Sequence, residues 1–130
     1  MVSQKRHTVL VVDDEKANIN VLVELMKKEY RILVANNGEK ALLIASREKP
    51  DLILLDIMMP EMDGYEVLRR LKADSKTMEI PVIFLTAMSQ ITDEEKGLNL
   101  GAVDYILKPI SPSIMMARVK THLILKQANE

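Results

Sequence analysis

The chain has no cysteine, which excludes a disulfide framework and any thiolate metal site. It also has no tryptophan, so that fluorophore cannot report on a site. No apolar run approaches the roughly 18 residues needed to span a bilayer. The polar start, Met1 to His7, lacks the pattern of a signal peptide. A soluble, cytoplasmic protein with no membrane partner is the expectation. Neither sign of charge dominates: 18 Lys plus Arg stand against 19 Asp plus Glu, a net charge of −1. That balance points away from direct nucleic-acid binding and away from an acidic, solvating tail. Repeats, linkers and low-complexity stretches are missing too.

What remains is a chain of 130 residues, 48% of them hydrophobic, which suits one compact domain around one core. Five short β-type runs stand out: Thr8–Val12, Arg31–Ala35, Leu52–Leu55, Val82–Thr86 and Asp104–Leu107. Four are almost continuously apolar, as strands buried on both faces of a parallel sheet are. Segments with helical spacing lie between them. The first, Glu15 to Lys28, carries Ala17, Val21, Leu22 and Leu25 as its apolar stripe. A second follows Asn37-Gly38. A third follows Asp63, with Glu66 three residues on and Val67, Leu68 and Leu71 as its apolar face. The fourth opens on the capping box Thr92-Asp93-Glu94-Glu95 but has few apolar residues. Gly97 weakens it further by roughly 1 kcal/mol relative to Ala. That helix is expected to be loosely held. The last opens with Ser111 and Pro112 and runs through Met115, Val119 and Leu123 to a polar end. Strict alternation of strand and helix predicts a doubly wound α/β fold with right-handed crossovers. Its ligand site belongs beyond the carboxyl ends of the strands.

Those ends carry the chemistry. The first strand runs into Asp13-Asp14-Glu15 and the third into Asp56. The fourth ends at Thr86-Ala87, and the fifth leads to Lys108-Pro109. In a parallel sheet these groups converge on one edge. Clustered carboxylates repel one another unless a cation compensates, and oxygen ligands that leave room for water and phosphate suit Mg²⁺. With Lys108, such an ion could neutralise the oxygens of a transferring phosphoryl group. A carboxylate can itself be the nucleophile. Asp56, alone at the end of the central strand, is the candidate, while Asp13 and Asp14 suit metal holding. Taken singly, each feature has a plainer reading. Asp13-Asp14 could be a helix-start signal, Thr86 a strand former, and Lys108-Pro109 a turn.

The stretches Val11-Val12-Asp13-Asp14-Glu15, Leu54-Leu55-Asp56-Ile57-Met58-Met59-Pro60-Glu61-Met62-Asp63-Gly64, Leu85-Thr86-Ala87 and Gly101-Ala102-Val103-Asp104-Tyr105-Ile106-Leu107-Lys108-Pro109 resemble the receiver domains of two-component response regulators. The resemblance runs from Val9 to about Leu125. It implies a flavodoxin-like five-stranded sheet of order 2-1-3-4-5 with five flanking helices, residues 8–126 forming the receiver. Residues 1–7 would be an N-terminal tail, and 127–130 a C-terminal tail or the start of a linker to an output domain. It implies that Asp56 accepts a phosphoryl group from a sensor histidine kinase, a phosphotransfer protein or a small phosphodonor. The cofactor would be Mg²⁺, bound by Asp14, Asp56 and the backbone carbonyl of Met58, with Asp13 acting mainly through water. Thr86 and Lys108 would contact the phosphoryl oxygens. Thr86 and Tyr105 would be the switch that remodels the face of the fourth helix, fifth strand and fifth helix, read by a partner or an attached output domain. A cis Lys108-Pro109 bond is implied as well.

Met58 and Met88 occupy positions that in the family influence acyl-phosphate lifetime. Val103 stands where some DNA-binding members carry an acid used in dimerising that face, although Asp104 and Arg118 remain for pairing in a dimer. The stretch Ala117–Leu123 is similar to the ends of receivers fused to cyclic-dinucleotide enzymes. Three other functions compete. A phosphatase with an aspartate nucleophile would carry an acid two residues after it, where Met58 stands. A flavin carrier would need a phosphate loop after the first strand, where Asp13-Asp14-Glu15 would repel phosphate. A docking module that never takes phosphate would normally lack Asp14, Asp56 or Lys108. The expectation is therefore a switch that catalyses its own phosphorylation and dephosphorylation, not an enzyme acting on an external substrate.

Overall fold

The computed structural model describes residues 6–87 and 91–129, apart from the side chains of 91–94. Met88, the side chains of Thr92, Asp93 and Glu94 in the expected capping box, the first five residues of the expected N-terminal tail and Glu130 lie outside the described residues. In chain order the elements are β1 (Thr8–Val12), α1 (Lys16–Met26), β2 (Arg31–Ala35), α2 (Gly38–Glu48), β3 (Leu52–Asp56), α3 (Gly64–Ala73), β4 (Val82–Ala87), α4 (Ile91–Asn99), β5 (Asp104–Lys108) and α5 (Pro112–Ala128). All strand pairs are parallel, in the order β2-β1-β3-β4-β5. The expected doubly wound, flavodoxin-like fold is what forms.

The near-continuous apolar strands are explained by two cores, one on each face. Successive strand side chains alternate between faces. Leu10, Val12, Ile53, Leu55, Val82 and Phe84 join the core that α2 and α3 cover. Val9, Val11, Leu52, Leu54, Ile83 and Leu85 join the core that α1 and α5 cover. Each fully buried side chain of this size contributes about 1.5–3 kcal/mol relative to exposure. The outer strand β2 is only partly covered, with Arg31 and Val34 exposed.

Helix ends follow their local chemistry. The Asn37 side chain accepts the Lys40 N–H at 2.9 Å, and that of Asp63 accepts the Glu66 N–H at 2.9 Å, capping α2 and α3. In α5, Met115, Val119 and Leu123 face inward as expected.

The stripe expected on α1 needs correction. The buried residues are Ile19, Leu22 and Met26, while Ala17 and Val21 face solvent and Leu25 is half-buried. Only Leu22 belongs to both sets. Ile19, Leu22 and Met26 follow the three-and-four spacing of one helical face. The steps from Ala17 to Val21 to Leu25 follow a neighbouring row that is exposed at Ala17 and Val21, and only Leu25 packs against the core.

Gly97 also has a meaning beyond weakening α4. A Cβ there would lie 2.7 Å from the Phe84 ring, so glycine lets α4 approach the sheet. The Phe84 ring meets Tyr65 edge-on, with centroids 5.4 Å apart, and the Lys96 ammonium sits 4.3 Å from the Tyr65 ring centroid.

Candidate functional site

Parallel register aligns the strand ends. Val12 lies opposite Leu55, so Asp13 emerges beside Asp56, and Ala87 lies opposite Lys108. Asp56 and Lys108 are the last residues of their strands, one position further along than the sequence pattern placed the strand ends. Strand hydrogen bonding thus fixes the backbone of both groups.

Asp56 is only 4% exposed and Asp13 is fully buried. The Lys108 Nζ donates to Asp56 Oδ1 at 3.1 Å and to Asp13 Oδ2 at 3.5 Å, so one ammonium bridges two carboxylates. Burial raises the Asp56 carboxyl, Lys108 opposes the rise and Asp13 and Asp14 add to it, and the balance leaves the group at about 6. Burial works against the Lys108 charge, but Asp56 and Asp13 outweigh it and hold that group above its ordinary value. At neutral pH, Asp56 is therefore an ionised and comparatively basic carboxylate.

Asp14 is exposed at the rim, next to the buried Asp13. One ligand oxygen each from Asp13, Asp14 and Glu15 lies within 4.8 Å of the others. This donor set is all carboxylate, hard oxygen that fits a divalent cation such as Mg²⁺. The Met58 side chain is 75% exposed and points away from the core.

The backbone after Asp56 is tied down by Gly64, the first residue of α3. Its N–H donates to the Ile57 carbonyl at 2.8 Å. A Cβ at Gly64 would fall 2.5 Å from the Asp56 carbonyl oxygen and 2.8 Å from the Ile57 Cα. Asp63 caps α3, and the close approach of Gly64 to the backbone of Asp56 is a second constraint.

Thr86 is nearly buried, and its hydroxyl donates to the Ala87 carbonyl at 3.2 Å. Tyr105 is half-buried. The Arg118 guanidinium lies 5.8 Å from its ring centroid and donates to its carbonyl. Asp104 pairs within the chain with Arg118 at 3.9 Å and with His122 at 3.0 Å. His122 thus has Asp104 as its partner. The four-residue step from Arg118 to His122, which puts both on one face of α5, was the available signal.

The Lys108-Pro109 bond is cis, in accord with the expectation.

The sequence of residues 9–120 matches the response regulator receiver domain family. A probable cyclic di-GMP phosphodiesterase of Vibrio cholerae is 46% identical over 95% of this chain, which spans 28% of that protein. A probable transcriptional regulator of Pyropia yezoensis, ycf27, is 40% identical over 99% of this chain, which spans 51% of that protein. Among solved structures, the receiver domain of a sensor histidine kinase from Pseudomonas aeruginosa superposes with a TM-score of 0.84. It is 28% identical, covers 92% of this chain and 98% of its own, and has a magnesium ion coordinated in its active site cleft. The chain thus corresponds to between a quarter and a half of these longer relatives, and none of the helices among the described residues is long and apolar enough to cross a membrane. With the strand order and the converging strand ends, the match places this chain in the receiver domain family of two-component response regulators.

Proposed function

We propose that this domain is a phosphorylation-controlled switch whose acceptor is Asp56. The observation that carries the reading is the buried Asp56 carboxylate held 3.1 Å from Lys108, beside Asp13. An Asp56 oxygen would attack phosphorus, forming a P–O bond as the P–N bond to a donor imidazole breaks. The electron pair of that bond goes to the departing ring nitrogen, which takes a proton from solvent and leaves as neutral imidazole. Lys108 and Thr86 would meet the phosphoryl oxygens, where most of the catalysis of such transfers resides. Asp14, Asp56 and the Met58 carbonyl would hold Mg²⁺, with Asp13 acting mainly through water, and the ion would supply the remaining charge neutralisation. The domain would modify and dephosphorylate itself without turning over an external substrate.

The donor would be a sensor histidine kinase or a phosphotransfer protein in the cytoplasm. Residues 8–126 would be the receiver unit, with 127–130 a C-terminal tail or the start of a linker to an output domain. The similarity to a longer phosphodiesterase and a longer transcriptional regulator supports an attached output.

Incubation with Mg²⁺ and acetyl phosphate followed by intact-mass spectrometry tests this. A gain of one phosphoryl group is expected, absent in Asp56→Asn and in EDTA. No gain with either acetyl phosphate or a phosphohistidine donor would leave a pure docking module.

The readout would pass through Thr86, which would turn from the Ala87 carbonyl toward the phosphoryl group, and through Tyr105, which would leave Arg118 and turn inward. Arg118 would keep the Tyr105 carbonyl and Asp104 as partners while losing the ring beside it, and the α4-β5-α5 face so changed would be open to a dimer. Tyr105→Ala is expected to take up phosphoryl at the wild-type rate yet lose the change in amide exchange across α4, β5 and α5. An unchanged exchange response would remove Tyr105 from the switch.

A further inference from the structure

The last helix carries little charge on two opposite sides. Met115, Val119 and Leu123 are buried against the sheet. On the other side Ile114, Ala117, Thr121, Ile124 and Ala128 are all exposed. Ile114 keeps 48% of its surface in solvent and Ile124 keeps 55%. At about 100° per residue the outer row is centred roughly opposite the buried one, so it points straight away from the domain. Its steps run three, four, three and four residues, the a and d spacing of a helix that packs along a second helix. A helix face that meets only water ordinarily carries charge, and none of these five residues does. The side of α5 toward β5, where Arg118 meets Tyr105 and Asp104, is a different face.

We propose that α5 pairs with α5 of a second copy of this chain, in parallel and in register, along Ile114, Ala117, Thr121, Ile124 and Ala128. The flanking residues choose the orientation, as they do in coiled coils. In a parallel pair Ser113 meets Arg118 of the second copy, and Lys120 meets Leu125, so no like charges face each other. Arg118 moreover has Asp104 as its own partner. An antiparallel pair centred on Thr121 would bring the two Lys120 ammoniums together at the axis. The parallel pair also lays the two carboxyl ends of α5 side by side, with axes roughly 8–10 Å apart, so any segment that follows is paired too. The seam is only about two heptads long and buries less than a tight dimer needs, so pairing is weak and rises with concentration. Nothing in it involves Asp56 or the cation, and it holds whether or not the domain takes phosphate.

The chain has no cysteine, so single cysteines report on the pairing directly. Ile124→Cys, Lys120→Cys, Val103→Cys and Glu24→Cys are oxidised with copper phenanthroline and the covalent dimer is followed in time. Across a parallel seam identical a or d positions face each other at the roughly 5.5–6 Å that a disulfide spans between Cα atoms. Ile124→Cys is expected to cross-link at least about tenfold faster than Glu24→Cys, because pairing raises the local thiol concentration. Glu24 is an exposed residue of α1 and serves as the control. Lys120→Cys and Val103→Cys should stay near the control rate. Fastest cross-linking at Lys120→Cys would mean an antiparallel pair, and at Val103→Cys a dimer through the β5 side. Either result would overturn the proposal, as would Ile124→Cys at the control rate.

Sedimentation equilibrium without any cysteine separates pairing from chance collision. The average mass of wild type should climb above that of the monomer as concentration rises, and Ile124→Glu should remain monomeric. Because Ile124 is exposed in the single chain, Ile124→Glu should keep the melting midpoint of wild type at low concentration, so its loss of pairing is not a loss of fold. Wild type that stays monomeric at millimolar concentration would overturn the proposal, and so would Ile124→Glu that associates as wild type does.

Discussion

In EDTA near pH 7.5, Asp56→Asn is expected to be more stable than wild type by about 3 kcal/mol, a gap that closes near pH 3.5. The buried Asp56 carboxyl titrates near 6 in the folded protein instead of its ordinary 3.8. Each pH unit between those values corresponds to ~1.4 kcal/mol. In that window the folded state keeps a proton that the unfolded chain has released. The stabilisation is therefore complete below 3.8 and is lost as pH climbs through about 6. Above 6 the wild type carries a buried charge at a cost, and asparagine does not. Lys108 keeps Asp13 as a partner in the variant. Urea unfolding of both proteins from pH 3.5 to 7.5 gives the gap directly, because the other carboxylates titrate in both. Saturating Mg²⁺ should stabilise wild type by mass action and narrow the gap. A variant less stable than wild type at pH 7.5 would mean that the ion pair with Lys108 outweighs the cost of burial.

Gly64→Ala should be the most damaging single methyl in the loop beside the site. The added Cβ would meet the Asp56 carbonyl oxygen at 2.5 Å and the Ile57 Cα at 2.8 Å. Both are backbone atoms, which cannot step aside as the end of a side chain can. Either α3 lifts from the sheet or the strand end moves, and overpacking of this kind costs about 3 kcal/mol. The hydrogen bond from Gly64 to the Ile57 carbonyl goes with it. Because the displaced atoms carry Asp56, phosphoryl uptake should slow by more than about tenfold in the fraction that stays folded, since small misplacements at a reacting centre are costly. Stability from urea melts and uptake by intact mass give the two numbers. Wild-type values for both would show that the loop yields freely.

The sheet was readable because its signal is redundant. Strands such as Leu52–Leu55 are apolar at every position, and only a strand covered on both faces needs that. The convergence of Asp13, Asp56, Thr86 and Lys108 followed from strand ends, which a parallel sheet brings together whatever its side chains do. Other features depend on what lies across space. Ile19 and Val21 are both apolar residues of α1, and only the position of the sheet decides that the first is buried and the second exposed. Gly97 looked like a defect because propensity counts its missing side chain as lost helix stability. Its use depends on the Phe84 ring, thirteen residues away in sequence. His122 and Asp104 meet because α5 lies against β5; the spacing of Arg118 and His122 puts both on one face of α5 but does not say which residue they face.

Phe84 is the chain's single phenylalanine, and its ring lies between Gly97 of α4 and Tyr65. Biosynthetic replacement by fluorophenylalanine would therefore place one fluorine nucleus in the protein, at the joint between α4 and its support. Ring-current shifts from Tyr65 make its resonance sensitive to small movements there. One line would report one seating of the helix, and lines in slow exchange would count its seatings and weigh them by area.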